Sequence, residues 1–166
     1  MGGRRRSREI AVQVLYQAEM AGDAPDKAFE MFCEHFRAPE EIRIFAIELI
    51  KGVHSHLVQI DLLVRRFSDH WRLERMSTVD RSVLRLAVFE FLYRPDIPTK
   101  VSINEAVELG KKFGSEDSGS FINGVLDRIR FHLEEEGEGR QGVAGDIVAE
   151  SRLEDTTEEV QGAENS

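Results

Sequence analysis

Ser77-Thr78-Val79-Asp80-Arg81-Ser82-Val83-Leu84-Arg85-Leu86-Ala87-Val88-Phe89-Glu90-Phe91-Leu92-Tyr93 is the stretch from which the fold is read. A serine with an acid three residues on, just ahead of an apolar run, has the form of a capping box, with Asp80 where glutamate is usual. The helix that follows carries Val79, Val83, Leu84, Leu86, Ala87, Val88, Phe89, Phe91 and Leu92 over most of its circumference. A helix apolar nearly all round has neighbours on every side, so this one is central. Arg94-Pro95-Asp96-Ile97-Pro98 then stops it, because proline restricts the residue before it and cannot donate to a helix.

On both sides of this centre the pattern is helical. Residues 4–21 place Ile10, Ala11, Val14, Leu15 and Ala18 on one face, and Gly22 ends the run. Pro25 and Asp26 open a second helix to about Phe36, with proline tolerated in the first turn. Pro39-Glu40-Glu41 opens a third, whose apolar positions continue to Phe67, so one long helix is expected with Gly52 as an irregularity. After the central helix, a fifth is expected over about 100–113, with Gly114 closing it. A sixth is expected over about 116–133, with Gly124 allowing close helix approach. No segment alternates as a strand does. The expected fold is all-α, a helical bundle of two packed three-helix subdomains at about 4–68 and 76–133 within a domain spanning 4–133.

The charge of −9 divides unevenly along the chain. From Glu134 onward there are 11 acidic and 2 basic residues, while the first 133 residues hold 20 of each. Residues 137–166, rich in Gly, Glu and Ser without aromatics, are expected to be a disordered acidic tail, since so little apolar area cannot offset the ordering entropy. A neutral body with Arg4, Arg5, Arg6 and Arg8 ahead of or beside its first acid remains compatible with nucleic acid. A single cysteine, Cys33, excludes an internal disulfide. No run is long and apolar enough to span a bilayer, and no membrane partner is expected. The N-terminal arginines lead into an amphipathic pattern, not an apolar leader, which points to the cytoplasm. His54 and His56, two apart, diverge on a helix. With one cysteine and no P-loop or Rossmann glycines, neither a metal, another cofactor nor an enzyme activity is expected.

Several segments in order carry a family resemblance. The first helix reads Arg8-Glu9-Ile10-Ala11-Val12-Gln13-Val14-Leu15-Tyr16 and the central one Val79-Asp80-Arg81-Ser82-Val83-Leu84-Arg85-Leu86-Ala87. Asp96-Ile97-Pro98, Ile103-Asn104-Glu105-Ala106-Val107-Glu108-Leu109, Lys112-Phe113-Gly114, Asp117-Ser118 and Phe121-Ile122-Asn123-Gly124-Val125-Leu126-Asp127 follow. Over about Arg4 to His132 the chain resembles the NusB family. The resemblance implies a non-enzymatic RNA-binding factor of transcription antitermination that binds boxA-type single-stranded RNA. It also implies pairing with NusE, a small-subunit ribosomal protein, within an antitermination complex on RNA polymerase that acts in ribosomal RNA transcription. A protein-only adaptor in that complex is the competing reading. An accessory domain of ribosomal RNA methyltransferases, where such modules also occur, is disfavoured because no cofactor-binding pattern appears.

Candidate RNA contacts fall into two groups. Arg4, Arg5, Arg6 and Arg8 can neutralise phosphates. Tyr16 stands eleven residues after Arg5, so at about 100° per residue the two lie roughly 20° apart on the helix. Arg5, Gln13 and Tyr16 thus form a strip with a phosphate contact, a base-edge hydrogen bonder and a stacking ring. The plain alternative makes Tyr16 a packing residue. The second group is Asp117 and Phe121, whose matching positions in the family contact RNA. Asp117 as a helix cap and Phe121 as core are the alternatives. Lys111 and Lys112 extend the cationic surface or simply complement the helix dipole. Gly119-Ser120 departs from the family, where a basic residue commonly sits. Asn104 and Asn123 read as structural hydrogen bonders. For the NusE surface the resemblance points to Asp80, with Phe67 and Arg81 nearby; capping for Asp80 and core packing for Phe67 are the alternatives. A further expectation has the acidic tail folding back on Arg4–Arg8 to compete with RNA.

Overall fold

The computed structural model describes residues 2–35, 37–68 and 73–136. The expected tail, residues 137–166, and its fold-back lie outside them. The chain divides into two units, Met1–Arg130 and Phe131–Ser166; all packing discussed below lies within the first.

Among the described residues every regular element is helical. The order is α1 (Gly3–Ala21), α2 (Pro25–His35), α3 (Glu40–Ser55), α4 (Leu57–Phe67), a 3-10 turn (Leu73–Arg75), α5 (Thr78–Tyr93), α6 (Thr99–Phe113) and α7 (Ser118–Glu135). α5 is the central helix, as its composition requires. It touches α1, α3, α4 and α6, and every residue from Leu86 to Leu92 is buried. Ser77 caps it by accepting the Asp80 N–H at 3.1 Å. α1 packs on α2, α3 and α5 and ends at Gly22, whose φ of +70° is the left-handed conformation that turns the Asp23 N–H back to the Ala18 carbonyl at 3.0 Å. Ile10, Leu49, Ile60, Leu84, Phe91, Ile122 and Leu126 are fully buried, each contributing about 1.5–3 kcal/mol of apolar burial.

The single long helix expected from about 39 to 67 is instead two. The chain bends at His56, whose φ −116° and ψ 23° leave helical geometry, although His56 N–H still donates to Gly52 O and Ile60 N–H to His56 O. The reason is tertiary. The Phe89 ring of α5 lies against Gly52 so closely that an added Cβ would overlap it. The His56 ring stacks on Tyr93 with centroids 3.9 Å apart, and the Tyr93 hydroxyl donates to Gln59. Two aromatic side chains of α5 thus take the surface along which a straight helix would have run.

The glycines that permit close approach also differ from expectation. An added Cβ at Gly124 meets nothing within 4 Å, whereas one at Gly110 would sit 2.6 Å from the Ile122 side chain, so α7 rides on α6 at Gly110.

Candidate nucleic-acid interface

The start of α1 is held over the α5–α6 connector. Arg94 pairs with Glu48 at 2.6 Å and Asp96 at 2.9 Å, and Arg4 reaches Asp96 at 3.5 Å. Its hydrogen bond to Arg94 holds the Asp96 carboxyl well below the usual carboxylate range, and the same bond raises Arg94. The guanidinium groups of Arg4 and Arg94 each sit 5.1 Å from the Phe45 ring centroid, and that of Arg8 sits 5.7 Å from it. Ser7, buried, donates to the Ile42 carbonyl at 2.8 Å and ties α1 to α3. These contacts set the direction in which the neighbouring arginines project.

Arg5 points to α6. Its Nε and one terminal nitrogen, Nη2, donate to the two oxygens of Glu105, each at 3.0 Å, while about half of its side chain stays exposed. Nη1 takes no bond among the described residues, so the outer edge of the guanidinium is presented to solvent. The hydrogen bond and charge of Glu105 push the Arg5 guanidinium further up, so it stays cationic. Four residues on, Glu9 receives Lys112 of α6 at 2.9 Å and Arg6 at 3.2 Å. Burial pushes the Glu9 carboxyl up, but its two cations outweigh this and hold it below its ordinary value. Gln13 is half-buried and Tyr16 is 38% exposed along the same side of α1. This side of α1 is therefore tied to α6 by the Arg5–Glu105 and Lys112–Glu9 pairs. Its cations are not bare, because each is countered by a carboxylate that sequence reasoning did not pair with it. Glu105 is 100 residues from Arg5 in the chain, a separation that no local spacing reveals.

Two expected contacts must be corrected. Arg8 is buried, its side chain only 4% exposed, and its Nε and Nη2 donate to the two oxygens of Glu90 at 2.9 and 2.8 Å, with Ser102 Oγ adding a bond to Glu90 at 3.0 Å. Its place among surface arginines is ruled out by helical phase, which turns it to the core beside α5. Arg81 is likewise buried. Its guanidinium donates to the carbonyls of Leu73 and Met76 and to the Glu19 carboxylate, stapling the 73–76 turn to α5 and α1. Arg85 joins the same cluster through Glu19 at 3.7 Å and makes a bidentate pair with Asp61 at 2.8 and 2.9 Å. Both guanidinium groups are thus engaged inside the fold, that of Arg8 with Glu90 and that of Arg81 with Glu19 and the 73–76 carbonyls. Phe67 is half-buried, with Arg66 5.3 Å over its ring.

The second group surrounds a cleft of about 520 Å³ lined by Arg75, Met76, Ser77, Asp80, Ser115, Asp117, Ser118, Ser120 and Phe121. Two expected sites that the sequence kept apart, Asp80 and the pair Asp117–Phe121, share this space. Asp117 is exposed and its carboxylate caps nothing among the described residues. The hydroxyl of buried Ser118 accepts the Ser115 N–H at 2.9 Å instead. Phe121 is half-buried. Lys111 is exposed, with Glu108 at 3.6 Å, and its stem lies across Gly119: an added Cβ there would be 3.2 Å from Lys111 Cγ. A lysine from α6 thus stands over the start of α7 at Gly119. Asn104 and Asn123 are exposed, with no side-chain hydrogen bond among the described residues, contrary to the structural role expected of them. Among the described residues no group of His, Cys, Asp or Glu is arranged to hold a metal, and no helix is long and apolar enough to cross a membrane.

Comparison with known proteins agrees over the same region. The NusB family matches residues 5–131. The transcription antitermination protein NusB of Myxococcus xanthus is 54% identical over 138 residues, covering 80% of this chain and 98% of that protein. That of Desulfatibacillum aliphaticivorans is 46% identical over 136 residues, covering 82% and 95%. A solved structure of T. maritima NusB is 40% identical with a TM-score of 0.70, covering 76% of this chain and 89% of that one. A structure of the antitermination factors NusB and NusE in complex with double-stranded RNA is 28% identical with a TM-score of 0.71, covering 78% and 96%.

Proposed function

The chain belongs to the NusB family, and from that premise we propose that it is an RNA-binding transcription antitermination factor, paired with NusE on boxA-type single-stranded RNA and supporting ribosomal RNA transcription. The single observation that carries the RNA-binding half is the arginine–tyrosine edge of α1. Arg5 is clamped by Glu105 along one side and open along the other, with exposed Tyr16 further along the same helix. A clamped guanidinium has little freedom left to lose on meeting a phosphate, and the tyrosine ring supplies the sequence-tolerant stacking that unpaired bases use. Arg4, Arg6, Gln13, Lys111 and Lys112 widen the same surface, and Asp117 with Phe121 forms its second part. That a related NusB was solved with NusE and RNA supports both partners. The reading assigns no catalysis, a cytoplasmic setting, and subdomains at about 4–68 and 76–133; Phe67 and Asp80 are the proposed contacts for NusE.

The test is fluorescence anisotropy on a boxA-like single-stranded RNA and on its duplex, with and without NusE. Tyr16→Ala is expected to weaken binding of the single strand by about 1–3 kcal/mol. Arg5→Ala is expected to weaken it and to flatten the slope of log affinity against log salt by up to about 0.7, the value for one phosphate on a single strand. Wild-type affinity and slope in both variants would leave the protein-only adaptor as the surviving reading.

A further inference from the structure

We infer that Phe45 is a positioning residue for the arginine–tyrosine edge: its ring, met by the Arg4 guanidinium, holds the uncapped first turn of α1 helical, so that Arg5 and Arg6 are in place before a strand arrives. The inference rests on the RNA-binding reading above and adds to it a residue of α3 that acts through Arg4.

The first turn of α1 has little of its own to keep it helical. Gly2, at the N-cap, brings no side chain to the free N–H groups, and no acid stands in the first turn. Arg4, Arg5 and Arg6 instead crowd cations at the positive end of the helix dipole, where like charge is unfavourable. Yet the turn is formed, with the Arg6 N–H donating to the Gly2 carbonyl at 2.7 Å. Contacts from distant parts of the chain supply what the local sequence lacks.

The turn is held from two sides. Glu105 of α6 takes the end of the Arg5 side chain, and Phe45 of α3 takes that of Arg4. Three guanidinium groups stand around the Phe45 ring, but their other attachments differ. Arg8 is fixed to Glu90 by two bonds, and Arg94 to Asp96 and Glu48, so both keep their places without the ring. Besides the ring, the Arg4 guanidinium has among the described residues only Asp96 at 3.5 Å, with both side chains about half exposed. An exposed ion pair at that distance contributes little, whereas a guanidinium over an aromatic ring is attracted by its quadrupole. The ring is therefore the main anchor of Arg4. It does not follow a fraying turn, because Phe45 is buried in α3 with 8% exposed. The next tie from α1 to α3 is at Ser7, through the Ile42 carbonyl. Without the ring, residues 2–6 unwind up to that point, and an incoming strand has to order them at the expense of its own affinity.

The experiment uses the full chain with Phe45→Leu, which keeps an apolar side chain but no ring, and Phe45→Tyr, which keeps the ring; the open cleft of about 420 Å³ beside Phe45 leaves room for the hydroxyl. Binding of a boxA-like single strand is read by fluorescence anisotropy over a salt series, and hydrogen exchange of the Arg6 amide by NMR, with the melting temperature as the folding control. Phe45→Leu should lower RNA affinity about fivefold, the scale of one cation–π contact, and speed Arg6 exchange. Its salt slope should stay that of the wild type, because the same phosphates are met once the turn has reformed. Phe45→Tyr should restore both affinity and exchange rate. In an Arg4→Met background Phe45→Leu should cost no further affinity, since its effect runs through Arg4. Unchanged RNA affinity in a folded Phe45→Leu, a Phe45→Tyr as weak as Phe45→Leu, or an undiminished loss in the Arg4→Met background overturns the inference while leaving RNA binding intact. Should Phe45→Leu not fold, Arg4→Met tests the same anchor from its other side: faster Arg6 exchange is expected, and an unchanged rate overturns the inference. A wild type that binds no such strand even with NusE present ends the RNA-binding reading, and this one with it.

Discussion

Consider replacing Glu90 by glutamine. The Arg8 and Glu90 side chains are 4% and 2% exposed, joined by two bonds of 2.8–2.9 Å, with Ser102 completing the shell of the carboxylate. Each charge has been taken out of water at a cost of several kcal/mol, offset by the other charge and the three hydrogen bonds. Glutamine keeps the shape but removes one charge, leaving a guanidinium buried and uncompensated, for which the expected loss is about 3–5 kcal/mol. For a body of this size each kcal/mol moves the melting temperature by about 3–5 °C, so Glu90→Gln should lower it by roughly 10–20 °C in a calorimetric or circular-dichroism melt. Replacing the whole cluster by apolar groups, as Arg8→Met with Glu90→Leu and Ser102→Ala, removes both charges and the orphaned hydroxyl together. Exchanges of this kind are often neutral or stabilising, so most of the melting temperature should return. This triple variant also separates packing from RNA contact. If Arg8 is structural, the refolded protein binds RNA with the wild-type salt slope. A slope flatter by about 0.7 in a fully folded triple variant, or an unchanged melting temperature in Glu90→Gln, would refute the reasoning.

Three further outcomes are expected. Glu105→Gln removes the charge opposing Arg5 but keeps a hydrogen-bonding partner, so RNA affinity at low salt should rise and the salt slope steepen; titration of oligouridylate over a salt series checks this. Gly52→Ala drives a methyl group into the Phe89 ring, and overpacking of this kind should cost about 1–3 kcal/mol in urea unfolding. Because Lys112 and Arg6 hold Glu9 below its ordinary value of 4.5, its pairs stabilise the fold above that pH and are lost as pH falls through it toward the lower folded value. Melts from pH 7 to 3 should therefore show a decline that is shallower in Glu9→Gln, the two proteins converging at the acid end.

Much of the fold was legible locally. The all-round apolar character of α5, the Ser77 cap, the Pro25 opening of α2 and the Gly22 ending of α1 are properties of residues within a few positions of one another. The alignment of Arg5 with Tyr16 likewise follows from the helical repeat. Less of the candidate site was legible. The same repeat could not reveal that Arg8 faces Glu90, that Arg5 is held by Glu105, or that Arg81 is spent on the 73–76 turn and Glu19.

Helix identity, order and inward faces are set by contacts three and four residues apart, and those are written in the chain itself. Which charges meet, where α3 gives way to α4 under Tyr93 and Phe89, and that Asp80 shares a cleft with Asp117 and Phe121 depend on side chains brought together from distant positions. Only packing decides these, because an ion pair or a cleft wall leaves no periodic trace in either of the segments that form it.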